Sequence, residues 1–113
     1  MPLPNGLILH FINHTRNYYV DYYHVKMEIA FYVPVRAEYF EDREAFVEAK
    51  RILGEKVAYS RMEEQMGVPS MKIDRVLDRL IANFTDHALP YIASGQFPQK
   101  YVLSKLQKMK RKN

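Results

Sequence analysis

From His24 to Val33 the chain reads HVKMEIAFYV, with Val25, Met27, Ile29, Phe31 and Val33 alternating with His24, Lys26, Glu28, Ala30 and Tyr32. A period of two sustained over this length predicts a strand with one buried face. Pro34, which cannot donate to a ladder, should end its pairing. Upstream, GLILHFI is a second β-rich run, and the polar HTRN stretch suggests an N-terminal antiparallel hairpin with its turn around Thr15 to Tyr18. The period then lengthens. Between Glu41 and Leu53 acids lie in the first turn, Lys50 and Arg51 in the last, and Gly54 follows, the charge bias and stop signal of a helix with Phe46, Ala49 and Leu53 on one side. From Met71 to Phe84 the apolar positions Ile73, Val76, Leu77, Leu80 and Phe84 repeat at three and four, with Ser70 as the expected N-cap. Pro98 opens a last helix with an apolar stripe of Val102, Leu106 and Met109, and residues 110–113 are expected to fray as a basic tail.

The segment between these helices supports two readings. Lys56 to Gln65 begins with the alternation Val57, Tyr59 and continues with polar residues, as an edge strand would. A third strand would also give the hairpin enough surface for helices to cover. The alternative is a helix-turn-helix over 60–80: Ser60-Arg61-Met62-Glu63 matches a capping box, Gly67 would sit in the turn, and the amphipathic run from Met71 would be the recognition helix. Against it stands Glu63, four residues before the glycine, where close helix packing calls for a small side chain. The strand is preferred. The fold class is therefore α+β, one domain spanning 1–113, with a three-stranded antiparallel sheet (the N-terminal hairpin plus a strand near 56–65) covered by about three helices.

Composition narrows the function classes. The absence of cysteine excludes disulfides, thiolate zinc sites and cysteine nucleophiles, and agrees with a reducing, cytoplasmic setting. MPLPNGLILHFINH has no basic leader, and His10 and Asn13 break its apolar run, so neither a signal peptide nor a membrane span is expected. Six of the 17 basic residues and none of the 13 acidic ones lie from Lys100 onward, leaving 11 basic against 13 acidic in residues 1–99. The net charge of +4 thus belongs to the C-terminus, and a polyanion would meet that end first.

Catalytic motifs are missing: no G-x-S-x-G, H-E-x-x-H, P-loop or dinucleotide glycine pattern occurs. His10 and His14 would share a face of a strand yet stand about 13 Å apart, too far for one ion. His10 and His24 could be cross-strand neighbours if the register allowed, but would still need a third ligand. Asp74 and Asp78 alternate with Arg75 and Arg79, as on a solvated helix face. No cofactor or metal site is nominated, and a small enzyme is the most distant of the readings.

The unusual feature is the tyrosine cluster Tyr18, Tyr19, Tyr22, Tyr23 with Tyr32. Alternation assigns Tyr19 and Tyr23 to the core and leaves Tyr18, Tyr22 and Tyr32 near a surface, where they suit contact with a protein partner or a second copy. NGLILHFINHTRNYY, ILGEKVAYSRMEE and LPYIASGQFPQKYVLSKL together resemble a group of short bacterial proteins of unknown function, a likeness that implies the fold and no activity. The functional expectation is a small non-enzymatic binding module, self-associating through its tyrosine-rich hairpin. The alternative is a DNA-binding regulator in which Lys72, Arg75 and Arg79 meet the duplex while Lys108, Lys110, Arg111 and Lys112 grip phosphates. The tail alone would give only nonspecific attraction to nucleic acid.

Overall fold

A computed structural model describes residues 1–111. Strands β1 (His10–Asn13), β2 (Arg16–Tyr19), β3 (Tyr22–Pro34) and β4 (Lys56–Pro69) form one antiparallel sheet, and helices α1 (Arg43–Leu53), α2 (Ile73–His87), α3 (Leu89–Ile92) and α4 (Phe97–Arg111) accompany it. The predicted α+β architecture is the one observed. β3 is central: β4 pairs along its whole length on one side, so β1 and β2 share the other edge, opposite Met27–Ala30 and Tyr22–His24 respectively. The three-stranded expectation therefore holds in width, with the first edge split in two. The split falls at His14 and Thr15, where the His14 amide donates to the Lys26 carbonyl (2.9 Å) and the Lys26 amide to Thr15 Oγ1 (3.2 Å).

The hairpin turn is not at Thr15 to Tyr18. Tyr19 pairs with Tyr22, so the loop is Val20-Asp21, with Val20 at φ 46° and Asn17 Nδ2 donating to the Val20 and Tyr22 carbonyls. Asn17 closes the turn through these side-chain bonds, without the glycine or asparagine that a two-residue loop ordinarily recruits at positive φ. Tyr19, expected in the core, is carried out onto this tip and is 66% exposed; Tyr23 is half-buried.

The helix-turn-helix over 60–80 is likewise corrected. Residues of β4 pair with β3 from Pro34↔Lys56 to Tyr22↔Pro69, and this ladder outweighs the local capping signals. The Ser60 hydroxyl donates to Glu28 and the Glu63 carboxylate accepts from Arg61, so neither caps a helix. Gly67, the supposed turn residue, has φ 71° and lies where the register slips between Tyr23 and Val25. A left-handed glycine at an extra residue is the signature of a bulge. It returns Val68 to the buried side.

Asp42 caps α1 by accepting from the Ala45 amide (2.8 Å), and Gly54, at φ 86°, ends it before the chain returns into β4. Ser70 is not the N-cap of α2: Ser70–Lys72 form a 3-10 turn, and the Ser70 carbonyl accepts from Ile73. Val25, Met27, Ile29, Phe31 and Val33 are all buried, with α2 and α4 lying against this covered side of the sheet. A larger core joins Ile29, Phe31 and Val33 to Leu7, Leu9, Ala49, Phe84, Ile92, Phe97 and Val102; a smaller one groups Val25 with Val68, Val76 and Leu80. Of the predicted α4 stripe Val102 is buried, Leu106 half-buried and Met109 exposed. α4 continues through Arg111, and Lys112 lies outside the described residues. Asn5 Nδ2 donates to the Ile92 and Ser94 carbonyls, fastening the N-terminal loop to the α3–α4 turn.

Candidate functional site

The strand alternation that buries one side of β3 turns His24, Lys26, Glu28, Ala30 and Tyr32 to the other, and all but Tyr32 are only half-exposed. Register adds neighbours to this open face: His10 stands opposite Ala30, Ile12 opposite Glu28, and Ser60 and Met62 opposite Ala30 and Glu28 on β4. The result is a shallow depression of about 340 Å³ whose lining includes Ile12, Ala30, Tyr32, Ala58, Glu28 and His10.

Its polar centre is Glu28. Ser60 Oγ donates to one carboxylate oxygen (2.6 Å), and His14 Nε2 lies 2.8 Å from the other. The Ser60 hydrogen bond, then the one from His14, holds the Glu28 carboxyl below the usual glutamate range. A carboxylate satisfied from both sides is a weak base, and the hydroxyl faces the acid rather than an imidazole, so this is not the serine–histidine–acid order that makes a nucleophile. The cluster braces three strands. A second pair on the same face, His24 Nε2 and Glu64 Oε2, lies at 3.3 Å.

The predicted contact tyrosines are not gathered together. Tyr22 and Tyr32 both belong to the open-face alternation of β3, yet ten residues of strand separate them by about 33 Å. Tyr32 is 57% exposed, but Lys56 Nζ sits 4.2 Å from its ring centroid and so occupies one face of the ring. Tyr18 reaches from β2 toward β4, its hydroxyl 3.8 Å from where a Cβ on Gly67 would be. Around it the tip exposes Tyr19, Val20, Tyr22, Met66 and Met71.

The residues of the DNA reading also divide. Lys72 and Arg75 are exposed at the start of α2, while Arg79 donates to Gln65 Oε1 on β4. Lys108 lies in a groove beside Arg61, His87 and Tyr101, and Lys110 and Arg111 extend beyond it on α4. His10 and His24 are not neighbours, since their partners on the opposite strand are Ala30 and Arg16. Among the described residues no group of three His, Asp or Glu side chains could hold a metal, and no helix is long and apolar enough to cross a membrane.

Sequence reasoning missed Ile12, His14, Ser60 and Met62 as parts of one surface. Alternation marked Glu28 as facing away from the core, but only the register of β1 and β4 shows what stands beside it. No protein-family model, curated protein or solved structure matches the chain. The surface must be interpreted from its own geometry.

Proposed function

We propose that the protein is a non-enzymatic interaction module that meets a protein surface, a second copy included, through the open side of its sheet and the tyrosine-rich tip. One observation carries this reading: a sheet covered by helices on one side only, whose other side bears Ile12, Ala30, Tyr32, Ala58 and Met62 around a braced carboxylate. Exposed apolar side chains grouped on a rigid sheet suit protein contact, and the absence of lysine or arginine among those lining the depression disfavours a polyanion there. The lack of cysteine suits work in a reducing cytoplasm.

The test is sedimentation of the purified chain from micromolar to millimolar concentration, beside a Tyr18→Ser/Tyr22→Ser variant. Association weakened by the substitutions supports a contact at the tip. A monodisperse monomer throughout, unchanged in the variant, removes self-association from the proposal.

A further inference from the structure

The two edges of the sheet are finished differently. On one side β1 and β2 are four residues each, interrupted at His14 and Thr15. Short, broken edges of that kind are poor templates for strand addition. On the other side β4 runs for 14 residues and, among the described residues, pairs with β3 alone.

Two hydrogen bonds fix which of its backbone groups look outward. The Val35 amide donates to the Glu55 carbonyl (2.9 Å), continuing the β3–β4 ladder, so odd-numbered residues of this arm turn their main chain toward β3. The Tyr101 hydroxyl donates to the Ala58 carbonyl (2.7 Å) from outside that ladder, so even-numbered residues turn theirs away. Tyr101 closes the edge at Ala58, and the Gly67 bulge disrupts it at the other end. Between them the outward N–H and C=O groups belong to Ser60, Met62 and Glu64. The middle of that open edge is Met62.

Charge selects the same residue by an independent route. In a two-fold antiparallel pairing of β4 with itself, a centre at Arg61 sets arginine against arginine, and a centre at Glu63 or Glu64 sets glutamate against glutamate, arrangements that like-charge repulsion disfavours. A centre at Met62 places Arg61 opposite Glu63 of the second copy, once on each side of the axis, and Met62 opposite Met62. Within one chain Arg61 contacts Glu63 through Nε at 2.7 Å and lies with its guanidinium carbon 5.9 Å from the Phe84 ring centroid, so both charged side chains already stand together beside the axis. Met62 is 44% exposed.

We infer that two copies of the chain pair antiparallel through β4, centred on Met62, to form one continuous sheet in which each Arg61 faces Glu63 of the other copy. The inference rests on the interaction-module reading and assigns it a partner and a register. Ser60, Met62 and Glu64 of each copy supply about six main-chain hydrogen bonds across the axis. Both open faces then join around Met62. The radius of gyration supports such an assembly: at 17.6 Å, with a longest extent of 57 Å, the single chain is far more drawn out than the about 13 Å expected for a compact domain of this size.

Charge reversal followed by sedimentation equilibrium tests the pairing. Arg61→Glu sets glutamate against glutamate on both sides of the axis and raises the dimer dissociation constant roughly tenfold or more; Arg61→Glu with Glu63→Arg restores it. Met62→Pro removes an outward N–H without touching the β3 ladder, so the monomer keeps its circular dichroism while the dimer is lost. Met62→Cys, the sole cysteine in the chain, gives a covalent dimer on mild oxidation. Association that ignores Arg61→Glu and Met62→Pro but disappears in Tyr18→Ser/Tyr22→Ser overturns the edge pairing and leaves the tip contact standing. A monomer at every concentration overturns both.

Discussion

The two ends of the sheet are built from the same pair of strands and packed to different depths. At the Pro34 and Lys56 end, Ile29, Phe31 and Val33 meet side chains from α1, α2, α3, α4 and the N-terminal loop, and the stacked pairs Phe31–Tyr59 (4.4 Å) and Phe97–Tyr101 (5.4 Å) fill the space between layers. At the Tyr22 and Pro69 end only Val25 and Val68 on the sheet and Val76 and Leu80 on α2 are buried together, with Ile73 and Leu77 at the margin. Beyond them Tyr19, Val20 and Met71 are 66%, 79% and 86% exposed. One end is a domain core and the other is a ribbon held down by a single helix. Strand pairing can thus extend a sheet past the helices that cover it, and the extension is where apolar side chains are left for other molecules.

The comparison is broken most directly by truncating one buried side chain in each core. Phe31→Ala should cost about 4 kcal/mol in chemical denaturation, because Tyr59 and Phe97 both pack against that ring and cannot close over the space. Leu80→Ala should cost about 2 kcal/mol, since the smaller cluster borders solvent and can relax into the gap. Equal costs at the two sites would mean that the ends are equally well packed. Amide exchange sharpens the contrast without mutation: the backbone around Val25 and Val68 should exchange through local opening well before that around Ile29, Phe31 and Val57. Uniform protection along β3 would reject the distinction.

Smaller effects are expected from the backbone of the ribbon. Gly67→Ala places a side chain at φ 71°, where the only neighbour within 4 Å is the Tyr18 hydroxyl at an ordinary 3.8 Å. The cost is therefore conformational, about 1 kcal/mol, and amides at the Tyr22 and Pro69 end should register it more strongly than those at the Pro34 and Lys56 end. Val20→Gly should act in the opposite direction. A β-branched residue at φ 46° is strained, and relieving it should stabilise the chain by about 0.5 kcal/mol after the flexibility of glycine is discounted.

Much of β3, α1 and α2 was legible in the sequence, because there local signals and tertiary packing agree. The alternation through Val25 to Val33, the Asp42 and Gly54 boundaries of α1 and the stripe of α2 each describe what the residues do in the fold. β4 and the hairpin tip were harder for a physical reason. In β4 the capping pattern Ser60 to Glu63 and the glycine at 67 are local helix and turn signals, and a ladder with β3 formed across 32 residues of sequence at Ser60 and Glu28 overrides them. Tyr19 was misassigned because the turn lies at Val20 and Asp21, a position that polar composition around Thr15 does not reveal. The open face shared this obstacle. His14, Glu28 and Ser60 are distant in sequence, and no spacing rule joins them before the register is known.

The last test concerns the waist between the two ends, where the edge breaks and Glu28 ties β1's end to β4. The Glu28 carboxyl is held below the usual range, first by Ser60 and then by His14, so the folded chain binds a proton there less readily than the unfolded one. Its contribution is complete at pH values above the unfolded carboxyl's pKa and is lost as pH falls through the carboxylate range, below about 4, toward the lower folded value. Glu28→Gln should therefore be less stable than the native chain at neutral pH, and the gap should close on acidification as the native chain loses what the variant already lacks. Its acid limb should be the flatter of the two in a series of denaturant melts. Because the same carboxylate ties the end of β1 to β3 and β4, exchange at Ile12, Glu28 and Arg61 should quicken in the variant while Phe31 and Val33 stay protected. Parallel acid limbs, with no local change at the waist, would show that the two ends are joined by the strand ladder alone.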